Sequence, residues 1–194
     1  DLGLDPRKCK QGSFYFIIAD GITLYPAEHY EKGLSITTVA ARRNVAEALD
    51  PKIKSLNYLN NILAKIEAIN HGSIEAIMIN QQGFVAEATG DNVFILRRGE
   101  LRTPDLSSGC LDGITRETVM EIARSMKMKV KECVMTRYDL YTADECFLTG
   151  TAAEIIPVVR IDNREINGGT PGPITKKLTA KFRTVTKKVG VKVR

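Results

Sequence analysis

The chain alternates between short apolar runs and segments of helical period. SFYFIIAD (13–20) is apolar and ends in Asp-Gly, which predicts a strand leading into a loop. GITLYPAEHYEKG (21–33) carries Pro26 and two glycines, so it reads as a loop and a linker. LSITTVAARR (34–43) is rich in β-branched residues and predicts a second strand. Pro51 breaks the chain, and then Leu56, Leu59, Ile62, Leu63 and Ile66 recur at helical spacing up to a glycine cap at His71-Gly72. IEAIMIN, GFVAEA and NVFILRRGELRTP, with turns at Gln82-Gly83 and Arg98-Gly99, predict a meander of antiparallel strands. GITRETVMEIARSM predicts a helix with Val119, Ile122, Ala123 and Met126 on one face. KVKECVM is a strand, RYDLYTAD a short helix and ECFLTG a strand. IPVVRIDNREI is strand-like around a polar turn, and GGTPGP leads into a last helix. Strands and helices in this mixture give an α/β class, mixed α+β.

Length and composition narrow the picture. The 194 residues fit one large domain or one and a half small ones, and 43% hydrophobic with 26% charged residues is ordinary for a globular protein. No apolar run reaches about 18 residues, so no membrane partner is expected. The chain begins with Asp1 and no charged-then-apolar leader follows, which suggests a fragment or processed chain without a targeting peptide. The net charge is +5, but the basic residues are scattered except in TKKLTAKFRTVTKKVGVKVR (175–194). That stretch reads as a helix with a solvated basic face and a basic tail, and no nucleic-acid module accompanies it. Cys9, Cys110, Cys133 and Cys146 form no CxxC pair and lie near neither His29 nor His71, so neither zinc nor a disulfide framework is indicated. Reduced cysteines in a cytoplasmic protein are the simplest reading.

Four places could carry chemistry. Lys54 precedes the predicted helix; it is a solvated charge unless burial or a neighbouring cation leaves its amine partly neutral. Lys52 and Lys54, two apart in an extended segment, should point to one side. Glu87 in GFVAEATGDNVF ends an apolar strand and needs a partner, either an Arg or Lys or the protonated pyridine nitrogen of a cofactor. Gly113, Ile114 and Thr115 in LDGITRE stand where a loop enters a helix, a place for a phosphate or for an ordinary Thr cap. FLTGTAAE closes a strand with small residues around Thr151, a second anion site or a plain turn. Together they are the parts that pyridoxal 5'-phosphate (PLP) requires.

The order of KSLNYLNNILAKIEA, GFVAEATGDNVF, GCLDGITRE, ADECFLTGTAAEIIPV and GPITKKL resembles the fold-type IV PLP enzymes, and most nearly the branched-chain amino acid aminotransferases. The resemblance covers nearly the whole chain. It implies a curved mixed or antiparallel sheet, or pseudo-barrel, flanked by helices. It also implies the end of a small domain at 1–20, an interdomain loop at 21–29 and a large PLP-binding domain at 30–194. Lys54 would carry the cofactor as a Schiff base and then move a proton between substrate and cofactor. Glu87 would keep the pyridine nitrogen protonated, and Tyr58 would lie at the phenolic oxygen. Leu111 would pack on the ring. Gly113, Ile114 and Thr115, with Thr151, would hold the phosphate, and Thr151 and Ala152 the substrate carboxylate. Asn92 would support the Glu87 turn. No metal is implied. The implied activity passes the amino group of leucine, isoleucine or valine to 2-oxoglutarate by a ping-pong route, in a homodimer. Ala88 stands where many members have glycine, and Lys54-Ser-Leu-Asn57-Tyr58 is one residue shorter than the common Lys-x-Gly-Gly-Asn-Tyr. The short form resembles a bacterial and archaeal variant and also the D-amino acid aminotransferases, which with aminodeoxychorismate lyase are the alternatives on this fold; a non-catalytic module that kept the fold is the third. Most of the small domain, which carries a phosphate-binding arginine and much of the pocket wall in the family, is not in this sequence.

Overall fold

In the computed structural model, residues 4–8 and 12–189 are described; Cys9 and the basic tail at 190–194 lie outside them. The elements run α1 (Ala27–Lys32), β1 (Leu34–Arg42), α2 (Ala46–Leu49), α3 (Leu59–Asn70), β2 (Glu75–Ile79), β3 (Val85–Ala88), β4 (Asn92–Arg97), β5 (Glu100–Pro104), α4 (Ile114–Ser125), β6 (Lys129–Cys133), α5 (Arg137–Tyr141), β7 (Glu145–Gly150), β8 (Glu154–Ile161), β9 (Arg164–Glu165) and α6 (Pro173–Thr186). The strands form one mixed sheet in the order β3-β2-β1-β8-β7-β4-β5-β6, with β9 on β8. Strand β1 runs parallel to both its neighbours, β2 and β8, and β5 runs parallel to β6. No helix of the described residues is long and apolar enough to cross a membrane.

Both faces of the central strands are buried, which explains why their sequences are continuous apolar runs rather than alternating ones. The sheet curls around one cluster that joins Ile36 of β1, Ile77 of β2, Val85 of β3, Val93 and Ile95 of β4, Leu148 of β7 and Val158 of β8. The intervening residues face outward into a second cluster, where Phe94 and Phe147 stack 5.1 Å apart under Val119 and Ala123 of α4 and Leu178 of α6. A third cluster seats α3 on β1 and β2 through Ala64, Ala68, Val39, Ala76 and Met78. The α/β reading and the curved sheet flanked by helices therefore hold.

Four local expectations do not. SFYFIIAD forms no strand; Phe14 and Ile18 are exposed, because no strand of the described residues offers it a ladder. The loop at 21–33 contains α1, which starts directly after Pro26, a residue already fixed at a φ of −54°. The meander over 74–104 is instead two hairpins: β3 ends the sheet, while β4 lies between β7 and β5. Side chains hold the turn between them, because Thr89 N–H donates to Glu75 Oε1 (3.1 Å) and Asn61 Nδ2 donates to the Thr89 carbonyl (2.7 Å). Lys52 sits in a turn closed by Ile53 N–H on the Asp50 carbonyl (2.9 Å), and Lys54 follows it in a tighter one closed by Ser55 N–H on the Ile53 carbonyl (2.7 Å), so the segment is not extended.

Helix α6 has Gly172 at its cap position with no side chain of its own to cap it. Buried Glu145 of β7 does the work from outside, accepting from Ile174 N (3.0 Å), Thr175 N (2.7 Å) and Thr175 Oγ1 (2.7 Å). Charge-assisted bonds at a helix N-terminus are among the stronger local contacts. Glu145→Ala should destabilise the chain by about 2–3 kcal/mol, read as a lower urea midpoint with Glu145→Gln falling between the two.

Candidate active site

The local folding of β3 sets the site. Its pairing with β2 slips between Met78↔Glu87 and Ile79↔Val85. Val85 and Glu87, two apart, would share a face in a regular strand. The irregularity turns Val85 into the inner cluster and leaves Glu87 beside Met78, on the α3 side. Glu87 is only 5% exposed. Its Oε1 accepts from Arg43 Nη2 at 2.6 Å, and its Oε2 from Asn92 Nδ2 (3.1 Å) and Leu111 N–H (3.0 Å). Burial pushes the carboxyl up to about 7, while the Arg43 guanidinium and the Leu111 amide pull it down. Of the two partners the sequence left open for this glutamate, the structure supplies an arginine.

Arg43 is itself buried, and its remaining donors reach Asn61 Oδ1 (2.9 Å) and the Gly109 carbonyl (3.1 Å). Neither Arg43 nor Asn61 stood out in the sequence. The signals were there: Arg42-Arg43 ends a strand, so one of the pair must face inward. Asn61 falls on the helix face of Ala64 and Ala68, where a polar residue needs a reason.

Lys54, Tyr58, Glu87 and Leu111 line one cleft, together with Arg43, Asn61, Thr89 and Gly90. Lys54 Nζ donates to Tyr58 Oη at 2.9 Å. Lys54 is exposed at the rim, so this chain does not bury it. Gly113, Ile114, Thr115, Thr151 and Ala152 are not among the lining residues. The glycines of their two turns pack instead against Asn92 and Asp91, the residues that follow Gly90 of the cleft wall. A Cβ at Gly113 would collide with Asn92 Oδ1, the side chain that donates to Glu87, and one at Gly150 would collide with Asp91 Oδ1. Thr151 and Ala152 are exposed in the turn that follows Gly150. Thr115 is not a cap: α4 is capped at Gly113 with no side-chain bond, so the amides of its first turn stay free. Among the described residues no group of His, Cys, Asp and Glu could hold a metal ion.

Removing Arg43 should leave an uncompensated carboxylate in the interior. Arg43→Ala is expected to cost about 3–5 kcal/mol in denaturant unfolding at pH above the Glu87 midpoint. The loss should shrink in acid, because the Glu87 carboxyl, freed of its cation, takes up a proton at higher pH than before.

The family model described as Amino-transferase class IV matches residues 2–161. A relative from Methanocaldococcus jannaschii is 48% identical over 193 residues, which is 100% of this chain and 66% of that protein. The crystal structure of a branched-chain aminotransferase from Thermoproteus uzoniensis with norvaline superposes with a TM-score of 0.76 at 44% identity, over 79% of this chain and 51% of that one. The branched-chain amino acid aminotransferase of Thermobaculum terrenum in its PLP form gives 0.78 at 43% identity, over 81% and 52%. This chain thus spans between half and two thirds of the length of these three proteins. With the family model covering most of its length and these relatives on the same sheet, the chain belongs to the class IV amino-transferase family.

Proposed function

We propose that this chain is the larger part of a PLP-dependent branched-chain aminotransferase, moving the amino group of leucine, isoleucine or valine to 2-oxoglutarate in two ping-pong half-reactions. The observation that carries the reading is the shared cleft: an exposed lysine, Leu111 and a buried carboxylate that accepts three hydrogen bonds all line it. The donor set suits the cofactor. The ring nitrogen would meet Glu87, the phosphate the uncapped amides of Ile114 and Thr115 together with Gly113 and Thr151, and the ring face Leu111. PLP, when bound, supplies the electron sink that lets a proton leave the substrate's α-carbon.

The protein's own residues do the rest. Glu87, kept from rotating by Asn92 and Leu111 and drawn toward its charged form by Arg43, would hold a proton on the ring nitrogen. Lys54 would bind the cofactor covalently and, once released, carry the proton as a base. Tyr58, already bonded to the Lys54 amine, would sit at the phenolic oxygen. Thr151 and Ala152 would orient the substrate carboxylate. In the same reading residues 1–20 close a small domain, 21–29 link it and 30–194 form the PLP-binding domain, in a cytoplasmic homodimer. The outer face of α3 supports the dimer: Leu59, Ile62, Leu63, Ile66 and Ile69 are 49–63% exposed on a helix whose inner face is alanine.

Trapping tests the reading. The chain is mixed with PLP, reduced with borohydride and mapped by mass spectrometry. A pyridoxyl group on Lys54, absent in Lys54→Ala, is the expected result. Label spread over Lys52, Lys65 and other surface lysines would sink the assignment.

A further inference from the structure

Behind the Thr89-Gly90 turn that lines the cleft lies a second group of buried titratable residues, to which the proposed reaction gives no role. Tyr25, Glu75 and Asp91 are 5%, 2% and 4% exposed. Tyr25 Oη lies 3.0 Å from Asp91 Oδ2 and 3.3 Å from Glu75 Oε2. Glu75 is well compensated: Lys65 Nζ stands 2.7 Å from Oε2, while Ala76 N (2.7 Å) and Thr89 N (3.1 Å) donate to Oε1. Asp91 is not, since its Oδ1 is buried and has no partner among the described residues.

A tyrosine hydroxyl has one proton to donate. With both carboxyls ionised, that proton serves only one of them, and when it serves Glu75 the Asp91 carboxylate is left without a donor among the described residues. With one more proton, taken from water onto Asp91 Oδ2, the row closes: Asp91 donates to Tyr25 Oη, and Tyr25 donates to Glu75. No bond to carbon forms or breaks; a hydroxyl turns and one proton is bound. The charged and titratable groups around Asp91 are Tyr25, Tyr30 of α1, Glu75 of β2, Glu87 of β3, Lys54, and Lys65 of α3.

We propose that Asp91 is a titrating positioning residue, which turns the Tyr25 hydroxyl toward itself or toward Glu75 as it loses or gains a proton and thereby sets the charge that Glu87 feels. For its consequence at Glu87 this rests on the reading of that carboxylate as the partner of the ring nitrogen. Burial pushes the Asp91 carboxyl up to about 6, the Glu75 charge adds to this, and the Tyr25 hydrogen bond opposes it. A carboxyl raised in the folded state contributes stability that is complete below its ordinary value and is lost as pH rises through the folded one, here about 6. Asp91 also pushes the Glu87 carboxyl up, so neutralising Asp91 makes Glu87 a stronger acid.

The test is carbon-13 NMR of the cofactor-free 194-residue chain, following the Tyr25 ring Cζ and the Asp91 and Glu87 carboxyls from acid to neutral pH. The expected result is a Tyr25 shift that shares the Asp91 midpoint near 6. Asp91→Asn should abolish that shift and lower the Glu87 midpoint, and Tyr25→Phe should raise the Asp91 midpoint. A flat Tyr25 signal, one that still titrates in Asp91→Asn, or a Glu87 midpoint indifferent to that change overturns the proposal. If Asp91→Asn does not fold, Tyr25→Phe, which removes only a hydroxyl, decides alone: an unmoved Asp91 midpoint overturns it. Label on Lys54 with a flat Tyr25 defeats this proposal only, whereas scattered label with a titrating Tyr25 defeats only the assignment of the cofactor site.

Discussion

The Arg43–Glu87 ion pair is the contact around which the site is organised. Two charges this deep lose most of their hydration, and their mutual attraction offsets that only when every other donor and acceptor is also satisfied. Here that requirement recruits five separate pieces of chain. The guanidinium reaches Glu87, Asn61 of α3 and the carbonyl of Gly109. The carboxylate adds Asn92 of β4 and the amide of Leu111. The loop that carries Leu111 toward α4, the helix that follows Lys54, and the ends of three strands are fixed relative to one another by one salt bridge. The surround fixes the direction in which the Glu87 carboxylate points, and the Arg43 guanidinium and Leu111 amide draw it back toward its charged form against the burial that raises it.

Helix α3 shows a second constraint from the same source. To bring Asn61 within reach of Arg43 the helix must lie close to the sheet, and Ala64 and Ala68 give it the room. The larger apolar residues that define its periodicity then have nowhere to go but outward. An apolar stripe on the outside costs solubility in an isolated chain, so it is consistent with an assembly that covers it.

Much of this was legible in the sequence, for reasons that differ by residue. Strands β2 to β8 and helices α3, α4 and α6 are strongly periodic or continuously apolar, and local pattern suffices for such elements. Glu87 stands out because an acid closing a buried strand breaks the local pattern, whereas Lys54 is an ordinary lysine before a helix and is marked only by the order of motifs that resembles a known family. Arg43 does not, because Arg42-Arg43 at a strand end looks like a solvated pair until the fold shows Glu87 beneath it. The Tyr25–Asp91 contact joins residues 66 apart, and nothing local in either neighbourhood announces it. SFYFIIAD has the composition of a strand, but strand formation depends on a partner, and partners are not encoded locally.

The two small-residue turns that suggested anion sites have a common physical cause. Gly113 and Gly150 are not glycines for the sake of a left-handed backbone; Gly113 has a φ of −77°, open to any residue, and Gly150 is not among the glycines of positive φ. Each is a glycine because a side chain fills the space where its Cβ would be, Asn92 under Gly113 and Asp91 under Gly150. Asp91 and Asn92 are neighbours in sequence, at the start of β4, and lead to different turns. One dipeptide, four and five residues after Glu87, therefore sets the distance of both turns from the carboxylate. A substitution at either glycine would push its turn away from Glu87 through a side chain that carries charge or a hydrogen bond, so the spacing of GFVAEATGDN and the glycines of LDGITRE and LTGTAAE are parts of a single packing solution.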